Sequence, residues 1–327
     1  MKRLICAAIL LVLTVGCASG PSTPETRSAL LLPPKLSIRP ATSTAIPTQT
    51  PTSTPSPTLT PSPTPTPVCT DKYGRVEVTT YPGFVLPEQI PVHVYLPPCY
   101  AHGDQRYPVL YLLHGFPFDE SHWGDLGVDG LADEGIGSGT WPPFIIVMPR
   151  QPEPLFTSSD GGPGSYEAEI VEGLVSYIDR TYRTDMCPEA RALGGISRGG
   201  VWALEVAFRH PNMFDIVAAL SPALHMNYAR PPYDPLIIVR KDSLLPGHIF
   251  LSAGDQEVQF RAKVEKLSQT LEEIGISHML VIGSGGHDAE LWITVIQDML
   301  NFIVAGWLCC EEPGCMKDSP EDDFRVQ

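Results

Sequence analysis

Hydrophobic and polar positions alternate near the start of the folded part of the chain, and continuous apolar runs follow. Arg75–Tyr81 and Ile90–Leu96 alternate with the period of two that predicts strands with one buried face. We expect these two strands to form an antiparallel hairpin at a sheet edge. Tyr107–Leu113 and Phe144–Met148 are apolar throughout, which is typical of strands buried on both faces.

Segments with the apolar spacing of helices follow, and they alternate with further predicted strands. In Tyr166–Tyr182, the apolar residues Ile170, Leu174 and Ile178 recur every four residues. Three more strands are predicted at Ile216–Leu220, His248–Ser252 and His278–Ile282, and three more helices at Val201–Phe208, Phe260–Ile274 and Leu291–Leu308. This order predicts an α/β fold, with a mostly parallel central sheet and helices on both faces.

The first residues form a targeting segment rather than part of this fold. Met1–Arg3 is basic, and a short apolar run then leads to Cys17. The run is too short to cross a bilayer comfortably, so residues 1–17 are interpreted as an export signal. The end of this segment is similar to a bacterial lipobox with Cys17 as the lipidated residue, although Thr14 stands where leucine is usual. Ordinary signal cleavage and secretion is the alternative.

Composition divides the rest of the chain into three parts. Residues 18–67 are rich in Pro, Thr and Ser and carry too few apolar side chains to form a core, which predicts an extended stalk. Residues 68–308 contain all the predicted strands and helices and form the predicted catalytic domain. Residues 309–327 are an acidic tail that contains cysteines.

Net charge narrows the classes of partner. The formal charge of −15 argues against nucleic acid as a partner and against an anionic lipid surface as the main one. A lipid on Cys17 would still anchor the protein to a membrane. The sequence has no dinucleotide fingerprint, no phosphate-binding loop and no zinc-type cysteine spacing. We therefore predict neither a metal nor an organic cofactor.

Ser197 lies at the centre of a Gly-x-Ser-x-Gly pattern, between Gly195 and Gly199. A short apolar strand is predicted before it and a helix after it, which is the context in which this pattern marks a nucleophile. The turn would expose the hydroxyl at the N-terminus of a helix, where developing negative charge is stabilised. A glycine-rich turn without chemistry is the alternative interpretation.

A serine nucleophile needs a histidine base and a carboxylate that orients it. The loop after His248–Ser252 supplies Asp255 and Glu257, and the loop after His278–Ile282 supplies His287. Functional side chains in parallel α/β sheets gather at the carboxyl ends of the strands. The order serine, acid, histidine is that of the α/β-hydrolases.

The chain resembles the α/β-hydrolase family that includes esterase D, the enterochelin esterases, bacterial feruloyl esterase domains and the mycolyltransferases. The resemblance rests on Tyr107–Gly115, Trp123, Tyr166–Thr184, Gly194–Gly200, Gly285–Asp288 and Trp292. It implies a serine carboxylic-ester hydrolase that forms an acyl-enzyme and acts on a small-molecule or polysaccharide-linked ester. An acyltransferase of the same fold and a surface-binding module without activity are the alternatives.

The same resemblance assigns further roles. The family's acid usually stands fourth in a Gly-x-x-Asp pattern, a position that Glu257 occupies here, with Asp255 as the alternative. The backbone N–H groups of Phe116 and Arg198 are expected to form the oxyanion hole, while His114 shapes the first of these loops. Aromatic residues in this region are expected mostly to pack in the lid region and the core, with stacking on a sugar or aryl group as the alternative; they are Phe116, Phe118, Trp123 and Trp141.

Six cysteines remain after the targeting segment and Cys17 are set aside, which suggests disulfides in an exported protein. Cys69 and Cys99 flank the predicted hairpin and are the best-supported pair. Cys187 is expected to lie on the same side of the domain as the tail cysteines. The preferred arrangement there is Cys187–Cys309 with Cys310–Cys315.

Overall fold

A computed structural model describes residues 69–239 and 244–308. Within these ranges, eight strands form one sheet in the order β1-β2-β4-β3-β5-β6-β7-β8. The strands are β1 Arg75–Pro82, β2 Gln89–Leu96, β3 Val109–Leu113, β4 Ile145–Pro149, β5 Arg191–Ile196, β6 Ile216–Leu220, β7 His248–Gly254 and β8 Met279–Gly283. The predicted fold class, with its mostly parallel sheet, is confirmed.

The predicted hairpin forms one edge of the sheet. β1 pairs antiparallel with β2, and β2 pairs antiparallel with β4, whereas all the other neighbouring strands are parallel. A disulfide joins Cys69 to Cys99 across the base of this hairpin, with the two Cα atoms 5.7 Å apart. Cys187 is also disulfide-bonded. Its predicted partner Cys309 and the predicted Cys310–Cys315 pair lie outside the described residues.

Helices cover both faces of the sheet, as the alternating pattern predicted. They are α1 His122–Asp125, α2 Val128–Gly137, α3 Tyr166–Ala168, α4 Val175–Thr181, α5 Arg198–Arg209, α6 Pro235–Ile238, α7 Val258–Glu273 and α8 Ala289–Leu308. The π-helical segment Glu169–Leu174 joins α3 to α4, so the predicted helix Tyr166–Tyr182 is close to its observed extent. The buried residues of α4, α5 and α7 pack on one face of the sheet, and those of α2 and α8 pack on the other.

Three helices of the described residues were not predicted, namely α1, α2 and α6. The α2 sequence contains three glycines, which weaken helix propensity, so its pattern alone did not indicate a helix. Its buried residues Val128 and Ala132 nonetheless pack with Trp123 and Trp141 in the core. Here tertiary packing overrides local propensity. The other two, α1 and α6, have only 4 residues each.

The last helix, α8, is long and apolar enough by composition to cross a membrane. Its residues Leu291, Ile296, Leu300 and Ile303 are buried against the sheet, as in the core helix of a globular domain. The parallel strands that this helix covers have their carboxyl ends on the same side of the domain. The segments that follow β5, β6, β7 and β8 on that side carry the candidate site.

Candidate active site

The site is built around the sharp turn between β5 and α5. Ser197 has φ +56°, a conformation that L-residues rarely adopt, and its backbone N–H donates to the Leu220 carbonyl 2.9 Å away. A Cβ on Gly195 or on Gly199 would collide with neighbouring backbone atoms, so only glycine permits this approach of strand and helix. The turn therefore holds a serine hydroxyl at the N-terminus of α5.

Ser197 and His287 meet although 90 residues separate them in the chain. The His287 Nε2 atom lies 2.9 Å from the Ser197 Oγ atom. On the other side of the ring, Nδ1 is hydrogen-bonded to the Glu257 carboxylate. An ionised carboxylate only accepts hydrogen bonds, so Nδ1 carries the proton and Nε2 is free to accept one from Ser197.

The structure distinguishes between the two candidate acids. Glu257 is 4% exposed, and its Oε2 atom accepts hydrogen bonds from the Gly254 N–H at 2.5 Å and the Ser221 hydroxyl at 2.7 Å. Asp255 instead accepts a hydrogen bond from the Gly285 N–H at 2.9 Å. Asp255 thus holds the loop that carries His287, while Glu257 contacts the imidazole itself.

Aromatic rings hold the His287 imidazole from two directions. The Phe260 ring stacks on it with centroids 4.0 Å apart and an interplanar angle of 27°. The Trp292 ring meets it edge-on at 5.1 Å. These contacts restrict rotation of the imidazole and leave its Nε2 atom directed at Ser197.

The loop that was predicted to contribute to the oxyanion hole lies beside Ser197. A Cβ on Gly115 would approach the Ser197 Cβ atom to 3.1 Å, so the loop passes close to the serine. The buried His114 ring donates from Nδ1 to the Gly115 carbonyl at 3.0 Å and accepts at Nε2 from the Gln151 N–H at 2.9 Å. Burial lowers the pKa of His114, which keeps the ring neutral and suited to this pair of bonds. His114 shapes the loop, as predicted.

A cavity of about 490 Å³ opens beside Ser197 and His287. Most of its wall is apolar or aromatic, with hydroxyl groups and one guanidinium among the remaining lining residues. Besides Ser197 and His287, the wall is formed by Phe116, Phe156, Thr157, Ser159, Arg198, Ala223, Met226, Tyr228 and Phe260.

The four aromatic residues singled out in the sequence fall into two pairs. Trp123 and Trp141 are buried in the core. Phe116 and Phe118 are 64% and 46% exposed, and Phe116 stacks on Phe156 in the cavity wall. Core packing is thus observed for the two tryptophans, whereas Phe116 and Phe118 stack on the rings of Phe156 and His122 outside the core.

The Arg198 side chain connects two walls of the cavity. Its guanidinium donates to the carbonyl oxygens of Phe156 and Ser158 and to the Asn227 side chain. Burial lowers its pKa to about 10, so the group remains a cation at neutral pH. Arg198 thus places its backbone N–H next to Ser197, and its side chain holds two segments of the cavity wall together.

Several residues of the site were missed in the sequence, above all Ser221, Phe156, Met226 and Tyr228. Ser221 directly follows β6, and residues at the carboxyl ends of parallel strands commonly contribute to sites, so that position was a usable signal. The others lie in segments without a regular pattern. Their sequence gave no comparable signal.

One group of potential metal ligands occurs among the described residues. It consists of Cys69, Asp71 and Cys99, all of which lie far along the chain from Ser197 and His287. The two cysteines are joined in a disulfide, so neither offers a thiolate. We assign no metal to this group.

Sequence comparison connects this geometry to known proteins. The model of the family described as "Putative esterase" matches residues 85–303. The chain is 28% identical over 240 residues to the endo-1,4-beta-xylanase/feruloyl esterase of Xylanibacter ruminicola, a match that covers 69% of this chain and 31% of that protein. It is 25% identical over 209 residues to the ferri-bacillibactin esterase of Bacillus subtilis, covering 56% of this chain and 70% of the relative.

Solved structures show the same fold. A ferulic acid esterase superposes with a TM-score of 0.64 at 24% identity, covering 72% of this chain and 99% of that one. The chain thus spans under a third of the Xylanibacter protein but nearly all of this solved domain. The family match, residues 85–303, includes strands β2 to β8 and the loops that carry Ser197 and His287.

Proposed function

Because the chain belongs to this esterase family, we propose that it hydrolyses carboxylic esters with Ser197 as nucleophile, His287 as base and Glu257 as the acid. The observation that carries the proposal is the continuous series of hydrogen bonds from Glu257 through His287 to Ser197. The Ser197 hydroxyl therefore contacts a proton acceptor, the His287 imidazole, and the Glu257 carboxylate is hydrogen-bonded to the opposite nitrogen of that ring.

The reaction proceeds in two halves. The Ser197 oxygen attacks the ester carbonyl carbon as its proton passes to His287 Nε2, and the resulting oxyanion receives hydrogen bonds from the backbone N–H groups of Phe116 and Arg198. The C–O bond to the alcohol then breaks, and His287 returns the proton to the departing alcohol. Water attacks the acyl-serine with the same base and releases the acid.

Glu257 keeps the imidazole in the required state throughout. Its carboxylate holds the proton on Nδ1 and stabilises the imidazolium that forms during each half of the reaction. Glu257 is itself fixed by the donors on its second oxygen, so it cannot rotate away from the ring. Asp255 acts through the backbone of the His287 loop.

We propose that the enzyme prefers esters whose acyl group is aromatic. The cavity next to Ser197 carries the rings of Phe116, Phe156, Tyr228 and Phe260, and aromatic groups stack on such rings at low entropic cost. Two of the similar proteins are named feruloyl or ferulic acid esterases. Hydroxyls from Thr157 and Ser159 in the wall suit polar substituents on an acyl ring.

We also propose that the enzyme is exported and held at a membrane by lipid on Cys17, with residues 18–67 as the spacer. The support is the order of the basic start, short apolar run, cysteine and proline-rich stretch. Membrane fractions of the native host should contain the wild-type protein, and Cys17→Ser should abolish labelling by a radioactive fatty acid. A wild-type protein recovered entirely in the soluble fraction would contradict the anchor.

The central experiment is Ser197→Ala in the full chain, assayed against esters that differ only in the acyl group. Feruloyl, benzoyl, butyryl and acetyl esters of one alcohol separate aromatic from aliphatic preference. We expect the loss of several orders of magnitude in kcat on every ester, with an unchanged melting temperature. A fluorophosphonate should label the wild type and leave the variant unlabelled. Retention of a tenth of the wild-type activity would rule out Ser197 as nucleophile.

A further inference from the structure

We propose that Ser221 and Trp292 form a hydrogen-bonded relay that positions the carboxylate of Glu257. The Trp292 Nε1–H donates to the Ser221 Oγ atom at 3.4 Å, and the Ser221 hydroxyl donates to Glu257 Oε2 at 2.7 Å. We treat both as positioning residues, because each would act on the reaction through Glu257 or His287. The proposal rests on the proposed role of Glu257.

The terminal groups, the Trp292 indole and the Glu257 carboxylate, determine the direction of both hydrogen bonds. An indole nitrogen can only donate, and a carboxylate can only accept. The Ser221 hydroxyl, which can do both, must therefore accept from Trp292 and donate to Glu257. A hydroxyl that accepts one bond is a stronger donor in the next, so the relay reinforces the bond to Glu257.

The conformation of Ser221 supports a functional rather than a purely structural role. Ser221 is fully buried and has φ +44°, which is unfavourable for any residue except glycine. Its backbone N–H donates to the Ser252 carbonyl at 2.9 Å, which fixes it between neighbouring strands. Glycine would satisfy the backbone at this position at lower cost. A serine here supplies a hydroxyl at the expense of that strain.

The relay also connects the acid to the base. Trp292 donates into the relay through its N–H and meets the His287 ring with its edge. The indole thus contacts one member of the triad directly and orients another through Ser221. Loss of the Ser221 hydroxyl would leave Glu257 Oε2 with the Gly254 N–H alone, and the carboxylate could turn away from His287.

The test compares Ser221→Ala, Ser221→Gly, Trp292→Phe and the Ser221→Ala/Trp292→Phe double variant. We expect both Ser221 variants to lose about 10-fold to 100-fold in kcat, with KM changed less than about threefold, since a hydrogen bond to a charged group is lost away from the substrate. Trp292→Phe keeps an aromatic ring but removes the N–H together with part of the buried indole, so its melting temperature is measured beside its kcat. It should lower kcat by about threefold to tenfold.

The double variant and the glycine variant separate a relay from two independent contacts. In the Ser221→Ala background, Trp292→Phe should lower kcat by a smaller factor than it does alone, because the relay is already broken and only its contact with the His287 ring remains. Ser221→Gly should match the wild type in melting temperature while its activity stays low. Wild-type kcat in Ser221→Gly, or full additivity in the double variant, would overturn the proposal.

Ser268→Ala is the matched control, because Ser268 is also buried and its hydroxyl bonds to His278 at 2.6 Å, away from the triad. It should lower stability and leave kcat unchanged. The low-field proton resonance of the His287–Glu257 hydrogen bond should move in Ser221→Ala and stay in place in Ser268→Ala, and an unmoved resonance in Ser221→Ala would contradict the relay. Activity that survives Ser197→Ala would instead contradict the proposed function.

Discussion

Two buried glutamates, Glu257 and Glu205, show how differently one side chain can be held in the same domain. Glu257 is 4% exposed and Glu205 is fully buried. The oxygens of Glu257 have hydrogen bonds from His287, Ser221 and Gly254. Within the described ranges, no side chain donates a hydrogen bond to the Glu205 carboxylate, and the Gly161 backbone N–H lies beside it.

The surroundings of Glu205 disfavour its ionised form. Burial, followed by the charge of Glu167, raises the pKa of Glu205 to about 9, although Arg198 and Arg209 act in the opposite direction. Burial also raises the pKa of Glu167, but hydrogen bonds from His210 and Gly162 and the charge of Arg209 outweigh it and lower that pKa overall. Glu205 is therefore protonated at neutral pH beside an ionised neighbour.

The comparison shows that burial alone does not decide what a carboxylate can do. Donors on both oxygens suit Glu257 to its proposed role of orienting a base, whereas Glu205 has no side-chain donor and packs on α5 as a neutral group. Substitution should therefore affect catalysis at one glutamate and stability at the other.

The largest effect is expected at Glu257. Glu257→Gln should lower kcat/KM by about 10³-fold to 10⁴-fold, because an amide cannot stabilise the imidazolium and does not fix the same tautomer. Asp255→Asn is the matched control and should lose less than about tenfold, since Asp255 holds only the loop backbone. Steady-state kinetics on one ester decide between them. The opposite ranking would transfer the role of the acid to Asp255.

At Glu205 the expected effect is on stability and depends on pH. The folded-state pKa of about 9 lies above the ordinary 4.5, so the stability associated with the bound proton is fully present below about pH 4.5 and is lost as pH rises towards 9. Glu205→Gln should therefore gain stability over the wild type by up to about 1.4 kcal/mol per pH unit across this window.

Urea unfolding at several values between pH 5 and pH 8.5 measures this gain at Glu205, with kcat unchanged throughout. Glu172→Gln is the control, because that side chain is exposed and its substitution should give no trend with pH. A difference between Glu205→Gln and the wild type that stays constant with pH would mean that Glu205 is ionised in the folded protein.

The smallest effect is expected at Gly161, whose backbone lies against both Glu205 and Glu167. A Cβ there would fall well inside contact distance of both carboxylates, so Gly161→Ala should destabilise by about 1–3 kcal/mol. Gly130→Ala, where a Cβ would meet nothing within 4 Å, should leave the melting temperature unchanged or slightly raised. Equal melting temperatures for both variants would show that Gly161 moves freely away from the glutamates.

Local patterns were enough to predict most of the fold. The alternation in β1 and β2, the apolar runs of β3 and β4 and the spacing in α7 follow from which faces are buried, and that information lies within each segment. The same patterns placed Ser197 between a strand and a helix. They failed at α2, where glycines mask a helix that only packing with Trp123 and Trp141 stabilises.

By itself, the sequence determined the order of strands and helices, the turn at Ser197 and the two loops that carry a carboxylate and His287. Only the tertiary structure decided that Glu257 rather than Asp255 contacts the imidazole, and that Ser221 supports it. These contacts join residues 30, 36 and 90 positions apart. Strand register and loop conformation bring such residues to within hydrogen-bonding distance of each other. No local pattern encodes a distance between segments so far apart.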